Sequence, residues 1–346
     1  MRYQARALLL VVALPVFASG ARRAKNVILF VADGAGLPTV NAASLHGYGK
    51  PQALFIQQMP YIALSDTSSA SNWVTDSTAA MTAIVTGQKT RNGLISQSVD
   101  GRPLKTILEY AEERGLATGV LSDCPISDAT PAALYAHSAD RNRHGEIFLQ
   151  ILKPRFGDGV DVVVGRGRER ILKETGALGV DIWPALTRAS YRRAARPKEC
   201  EGGGPRLVAL FESEEFKLAE WVDCALTVLS RNPKGFLLMV ESDTHFKDPR
   251  QCLTAMIELD RVIRGTAERM QASATLILFT SDHSYDLHLP RSGQPGQDIV
   301  PSLKVEGHHN AEEVVVTAQG PGAEKVRGFF PNTRLFQIMV SAYGWK

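Results

Sequence analysis

The sequence predicts an α/β fold with three layers, α/β/α, in which helices cover both faces of a large, mostly parallel central sheet. Short apolar runs rich in β-branched residues alternate with longer helical patterns along the 346 residues. Strands of a parallel sheet are buried on both faces, so they appear as continuous apolar runs. No internal repeat is present, and we interpret residues 21–346 as a single domain.

Six strands and six helices are predicted. The strands are 26–32, 117–122, 160–165, 206–211, 235–240 and 275–280, and the helices lie near 77–86, 103–114, 130–137, 144–153, 214–230 and 250–271. The polar, glycine-rich stretch 195–206 is typical of a surface loop, and a domain boundary there is the alternative.

Residues 1–20 have the pattern of a signal peptide. Arg2 and Arg6 precede the apolar run 7–18, and small residues follow at 18–20. The alternative is a membrane anchor, although the run is shorter than the roughly 20 residues that a span needs. We therefore expect an exported chain, periplasmic or extracellular, without stable membrane insertion.

Charge and cysteine content restrict the partners and cofactors. The formal charge is +3, and residues 1–20 contain two arginines and no acids, so the exported chain would be nearly neutral. A nearly neutral chain without a basic run does not favour nucleic-acid binding. Export allows disulfides among Cys124, Cys200, Cys224 and Cys252, in any of three full pairings, and no Cys-x-x-Cys motif indicates a zinc site.

Acidic residues and histidines follow three of the predicted strands. The carboxyl ends of parallel strands share one edge of the sheet, where ligands bind. Several carboxylates buried together repel one another unless cations offset their charge, and mixed carboxylate and imidazole ligands suit zinc. The acids are Asp33, Asp128, Glu241, Asp243 and Asp282, and the late histidines are His245, His283, His288, His308 and His309. The alternative is that the acids cap helices or pair with arginines, and that the histidines are structural.

Ser77 is the candidate nucleophile. Asp76 can cap the alanine-rich helix that follows, which places Ser77 in the first turn, where free amides favour an anion. An ordinary helix start is the alternative. No Gly-x-Ser-x-Gly elbow supports a Ser-His-Asp hydrolase.

Several segments, in order, resemble those of the alkaline phosphatase family. VTDSTAAMTAIVTGQKTRNG (74–93) is similar to the family's nucleophile region and DATPAALYAHSADR (128–141) to its second signature. TSDH (280–283) and HNAEEVVVTAQGPGA (309–323) resemble its two late blocks, and NVILFVADGAG (26–36) extends the similarity to residues 26–340. The chain is short for the family, so large peripheral insertions are missing.

The resemblance implies a role for each matching residue. Ser77 would attack phosphorus and become a phosphoserine, and Arg141 would bind two phosphate oxygens. One zinc ion would be held by Asp33, Asp282, His283 and Ser77 itself, with Asp76 either a further ligand or acting through its neighbours. The magnesium ion would be held by Asp128, Thr130 and Glu241, together with Asp33. His309 would bind the second zinc ion.

The block after Glu241 departs from the family pattern. The family places an aspartate five residues after this glutamate and a histidine four residues beyond, where this chain has Phe246 and Arg250. We assign Asp243 and His245 to the second zinc site instead, because residues i and i+2 of an extended loop point the same way. Without them, that site would depend on His309 and on His308 or His288.

The resemblance implies hydrolysis of small phosphate monoesters, with two zinc ions and one magnesium ion as cofactors. A phosphodiesterase of the same superfamily and a non-catalytic metal- or phosphate-binding relative remain alternatives. A sulfatase is disfavoured because the C/S-x-P-x-R motif is absent at Ser77. Family members are often dimers, so a homodimer is an assembly to test.

Overall fold

A ten-stranded sheet forms the centre of the computed structural model, which describes residues 23–204, 206–212 and 216–346. The predicted signal peptide lies outside the described residues. The described residues form twelve strands: β1 (Asn26–Asp33), β2 (Tyr61–Asp66), β3 (Ala117–Pro125), β4 (Val162–Arg166), β5 (Tyr191–Arg193), β6 (Arg206–Phe211), β7 (Phe236–Asp243), β8 (Thr275–Thr280), β9 (Ser284–His288), β10 (Lys304–Asn310), β11 (Val314–Gln319) and β12 (Gly328–Pro331).

The strand order in the sheet is β12-β2-β11-β8-β1-β7-β3-β4-β6-β5. Every neighbouring pair is parallel except those of β11, which runs antiparallel to β2 and β8. The separate pair β9 and β10 forms an antiparallel ribbon. The predicted mostly parallel sheet is therefore confirmed.

Helices cover both faces of the sheet. They are α1 (Leu37–Tyr48), α2 (Ser77–Thr86), α3 (Ile107–Glu113), α4 (Ala129–Tyr135), α5 (His144–Leu149), α6 (Arg168–Ala177), α7 (Ile182–Arg188), α8 (Leu218–Leu229), α9 (Pro249–Arg269) and α10 (Thr333–Tyr343). Within the described part of the chain, none of them has both the length and the apolar composition needed to cross a bilayer.

Alternation along β1 shows how the three layers form. Val27, Leu29 and Val31 are buried in a core with α2 and α10, whereas Ile28 and Phe30 are buried in a second core with α1, α8 and α9. Successive side chains of a strand point to opposite faces. Because all five are apolar, β1 is buried on both sides, as the continuous apolar run predicts.

The stretch 195–206 connects β5 and β6, which are neighbours in the same sheet. It contains a short 3₁₀ helix, Pro197–Glu201, that is tied to α8 by the disulfide Cys200–Cys224. Cys124 and Cys252 are free thiols. The structure thus selects one bridge among the pairings that the sequence leaves open.

Two buried acids lie at the sheet edge opposite the carboxyl strand ends. Glu112 accepts hydrogen bonds from the Thr118 hydroxyl and, at 3.0 Å, from the Gly159 amide, and Asp161 accepts one from the Thr118 amide at 2.9 Å. Burial raises the pKa of Glu112 to about 8 and that of Asp161 to about 7. The folded state therefore holds protons that the unfolded chain releases near pH 4 to 5.

We predict that the stability of the protein falls as the pH rises from about 5 through 8, because these raised pKa values favour folding only while the acids are protonated. Glu112→Gln should flatten this dependence, as measured by thermal unfolding between pH 6 and pH 9. The adjacent Glu113→Gln is the matched control, since Glu113 is exposed and its pKa is lowered by Lys105. If stability depends on pH equally steeply in Glu112→Gln and in the wild type, Glu112 is not a source of that dependence.

Candidate metal centre and nucleophile

The acidic strand ends meet because β8, β1 and β7 are adjacent in the sheet. Asp33 pairs with Asp243 at the end of β1 and β7, and Val31 pairs with both Glu241 and Thr280. Residues that are more than 200 positions apart in the sequence therefore lie at one edge. The structure brings Asp33, Asp282 and His283 together, as we expected.

Ser77 is the first residue of α2, and its position is fixed by Asp76. The Asp76 carboxylate caps the helix by accepting the Ala79 amide at 2.9 Å, and its second oxygen accepts the Gly93 amide at 2.8 Å. Asp76 thus acts as the predicted N-cap. The Ser77 hydroxyl is buried and lies 3.2 Å from Nε2 of His283.

The first candidate metal group consists of Asp33, Asp282 and His283, whose ligand atoms all lie within 4.8 Å of one another. His283 Nε2 is 3.3 Å from Asp282 Oδ2 and 3.5 Å from Asp33 Oδ1. Its other nitrogen, Nδ1, lies 3.3 Å from the Ser284 carbonyl. Donation to that carbonyl leaves the Nε2 lone pair directed toward the acids, as a metal ligand requires.

The second candidate group consists of His245, His283 and His309, again with ligand atoms within 4.8 Å. The rings of His283 and His309 stack at a centroid distance of 3.6 Å. His309 Nδ1 lies 3.0 Å from the Thr75 carbonyl, close in sequence to Ser77. His245 Nδ1 is 3.0 Å from Asp33 Oδ1 and 3.5 Å from Asp243 Oδ1. The shortened loop therefore brings His245 to the cluster.

The residues assigned to magnesium lie on β7 and at the start of α4. Glu241 is fully buried and accepts a hydrogen bond from the Ser122 hydroxyl. Asp128 caps α4 through the Ala129 amide at 2.7 Å and also accepts from Arg141 Nη2 at 2.9 Å. Both alternatives considered for the acids, capping a helix and pairing with arginine, thus apply to Asp128.

The electrostatics of the cluster fit a cation. The pKa of Asp33 is raised well above its ordinary range by burial and by the charges of Asp282, Asp243 and Asp128. Burial and the nearby His309 and His245 lower the pKa of His283 to about 4, so its ring is neutral at neutral pH, the form that binds metals.

Unpaired ligand atoms provide a second test of fit. Among the described residues, four buried side-chain atoms of the cluster lack a hydrogen bond: Asp33 Oδ1, Thr130 Oγ1, His245 Nε2 and Asp282 Oδ2. The 3.0 Å contact of Asp33 with His245 does not have hydrogen-bond geometry. Buried polar atoms are normally satisfied, so four unpaired ligand atoms in one site are those that metal ions would engage.

Two of the late histidines lie apart from this cluster. His288 is exposed and faces Glu306 at 3.7 Å, and His308 is exposed on β10. Neither belongs to a candidate metal group of the described residues. Sequence reasoning missed Asp123, which accepts hydrogen bonds from Ser242 and Asp243. Its position one residue beyond the predicted strand 117–122 was the available signal.

We predict that Asp33→Asn raises the melting temperature of the metal-free protein at pH 8, because it removes one of several mutually repelling buried charges. The same variant should gain less stability than the wild type when divalent metal ions are added. Asp66→Asn is the control, because Lys89 and Ser68 hold the pKa of Asp66 below its ordinary value despite partial burial. If metal-free Asp33→Asn has a lower melting temperature than the metal-free wild type, the buried acids do not destabilise the fold by repulsion.

Comparison with known proteins identifies the family. The family model described as alkaline phosphatase matches residues 24–177 and 209–305. The tissue-nonspecific alkaline phosphatase isozyme of Felis catus is 28% identical over 330 residues, which cover 75% of this chain but 63% of the cat protein. Streptomycin-6-phosphate phosphatase of Streptomyces griseus is 27% identical over 94% of this chain and 92% of its own length.

A solved structure supports the same fold. The alkaline phosphatase of the Antarctic bacterium TAB5 superposes with a TM-score of 0.79 over 94% of this chain and 99% of its own, at 24% identity. The chain belongs to the alkaline phosphatase family.

Proposed function

We propose that the chain hydrolyses phosphate monoesters through a phosphoserine at Ser77, in a site that holds two zinc ions and one magnesium ion. The observation that carries the proposal is the position of the Ser77 hydroxyl. It lies at a helix N-terminus, 3.2 Å from His283, which belongs to both candidate metal groups. A hydroxyl among unpaired carboxylate and imidazole atoms is arranged for nucleophilic attack.

The residues that would hold the metals combine the two candidate groups with the residues that the family resemblance assigns. Asp33, Asp282 and His283, with Ser77, would hold one zinc ion, and Asp243, His245 and His309 the other. Thr130 and Glu241, with Asp33 and Asp128, would hold magnesium. When bound, such ions stabilise negative charge on the attacking and leaving oxygens and lower the pKa of the attacking hydroxyl.

The protein's own contribution begins with the geometry of Ser77. Asp76 fixes the first turn of α2, so that the serine oxygen faces the cluster and the free amides of the helix end favour a phosphoryl group. Attack by Ser77 Oγ forms its bond to phosphorus as the bond to the alcohol breaks. Water then cleaves the phosphoserine, which restores the serine and releases phosphate.

Arg141 is the proposed phosphate-binding residue. Its side chain is about one-third exposed, with Nη2 on Asp128 and Nη1 4.0 Å from Asp76, the cap of the nucleophile helix. A planar guanidinium can bind two oxygens of one phosphate. A monoester offers more free oxygens than a diester, so this arginine favours monoesters over the diesters of the alternative reading.

Location and substrate are further parts of the proposal. The Cys200–Cys224 disulfide supports export to an oxidising compartment. This fits the signal-peptide interpretation of residues 1–20 and a single exported domain. Because the Streptomyces griseus relative matches along nearly its whole length, streptomycin 6-phosphate belongs among the monoesters to assay, next to a simple aryl phosphate.

We predict that Ser77→Ala lowers the rate of aryl phosphate hydrolysis by roughly three orders of magnitude or more, because the nucleophile is lost. Ser230→Ala, which changes an exposed serine at the end of α8, should leave the rate unchanged. Chelation of metals should abolish activity, and added zinc and magnesium should restore it. Full activity after both the substitution and the chelation would rule out this function.

We predict that Arg141→Ala lowers kcat/KM for a phosphate monoester by roughly 10- to 150-fold, the equivalent of about 1.5 to 3 kcal/mol for charged hydrogen bonds. The loss for a matched diester should be smaller, since fewer free oxygens contact the arginine. Steady-state kinetics on both substrates measure the difference. An equal loss on the two, or a wild type that prefers the diester, would favour the phosphodiesterase alternative.

A further inference from the structure

The end of β7 is held to its neighbour β1 by the backbone. β7 lies between β1 and β3 in the sheet, and the ladder with β1 continues to the pair Asp33–Asp243. Beyond it, the amide of Thr244 donates to the Asp33 carbonyl at 3.1 Å, and the Thr244 hydroxyl bonds to the same oxygen. On the β1 side, the end of β7 is therefore held without a contribution from any side chain of β1.

On the β3 side the backbone ladder stops earlier. The last paired residues of β3 and β7 are Ser122 and Glu241, and the register of β3 with β4 becomes irregular between Leu121 and Pro125. The Asp123 carboxylate continues the connection. One oxygen accepts the Asp243 amide at 2.8 Å, and the other accepts the Ser242 hydroxyl at 2.7 Å. A side chain thus replaces the ladder where β3 deviates.

The hydrogen bonds to Asp123 hold the segment after Glu241, in which the chain departs from the family spacing. The Asp243 carboxylate accepts the backbone amide of His245 at 2.8 Å, so the orientation of Asp243 is linked directly to that of His245. A hydrogen bond that fixes the backbone of Asp243 therefore also restricts His245. The hydrogen bonds made by groups behind metal ligands set the orientation of those ligands.

We propose that Asp123 is a positioning residue that holds the shortened segment Asp243–His245 in place for metal binding. The inference rests on the proposed function, which assigns these two residues to the second zinc ion. Asp123 accepts its bonds from a backbone amide and a hydroxyl, and neither donor is a metal-binding atom.

The surroundings of Asp123 make it suitable for substitution. It lines an open cavity of about 800 Å³, together with Arg166, Phe216 and Phe246. Because one side faces this cavity, truncation of Asp123 does not leave a void inside a closely packed core. We therefore expect Asp123→Ala to fold.

The experiment titrates zinc into metal-free protein and resolves the two binding equilibria by chelator competition, with unfolding followed in parallel. In Asp123→Ala, one of the two zinc affinities should fall by about 10- to 100-fold and the other should stay unchanged. Asp123→Asn should keep most of the affinity, since its amide can accept from Asp243 and donate to the Ser242 oxygen. Asp161→Ala is the matched control: it removes a buried aspartate bound to a β3 amide at the opposite sheet edge.

Each outcome decides the matter. A wild type that binds two zinc ions, with both affinities unchanged in Asp123→Ala, overturns this inference and leaves the proposed function intact. A wild type that lacks a second zinc ion overturns both. Equal losses in Asp123→Ala and Asp123→Asn would contradict a role through hydrogen bonds. If Asp123→Ala unfolds, Ser242→Ala, which removes one of the two bonds, should show a smaller loss at the same site, and no loss there overturns the inference.

Discussion

The main constraint on the candidate site is that several buried carboxylates repel one another at the end of β1. Asp33 is buried, faces Asp282, Asp243 and Asp128, and lies within 3.5 Å of both His245 and His283. No ordinary packing argument explains so many acids in one buried place, because removing each from water costs several kcal/mol. Cations bound between the two groups of side chains would offset this cost. The unpaired ligand atoms and the neutral His283 are arranged for such cations.

The fold creates this concentration of charge by placing three strand ends side by side. β1 ends in Asp33 and β7 in Asp243, and Asp282 and His283 follow shortly after β8, while most of each strand is apolar and buried between two helical layers. The strands therefore act as rigid supports. α2 brings the serine, α4 brings Asp128 and Thr130, and the β9–β10 ribbon brings His309 from the far end of the sequence. Rigid elements hold side chains at a site more closely than free loops can.

Elements with one strong local signal could be predicted from the sequence. The apolar run of β1 follows from continuous hydrophobicity, and the helix that starts at Ser77 follows from the Asp76 cap. β2 was not predicted because it is half exposed, and β5 and β12 are only three and four residues long. Asp33, Asp282 and His283 could be predicted because they lie at or just beyond the carboxyl ends of strands. The sequence shows Asp123 just beyond a predicted strand but not its bonds to β7, since these arise only where β3 deviates from β7. The roles of Asp243 and His245 stay predictions.

Anomalous scattering at the zinc absorption edge, measured on crystals of the protein, tests the central claim most directly. We expect one zinc peak among Asp33, Asp282, His283 and Ser77, and a second among Asp243, His245 and His309. The absence of any zinc peak within coordination distance of Asp33 and His283, in crystals grown with zinc, would contradict the account.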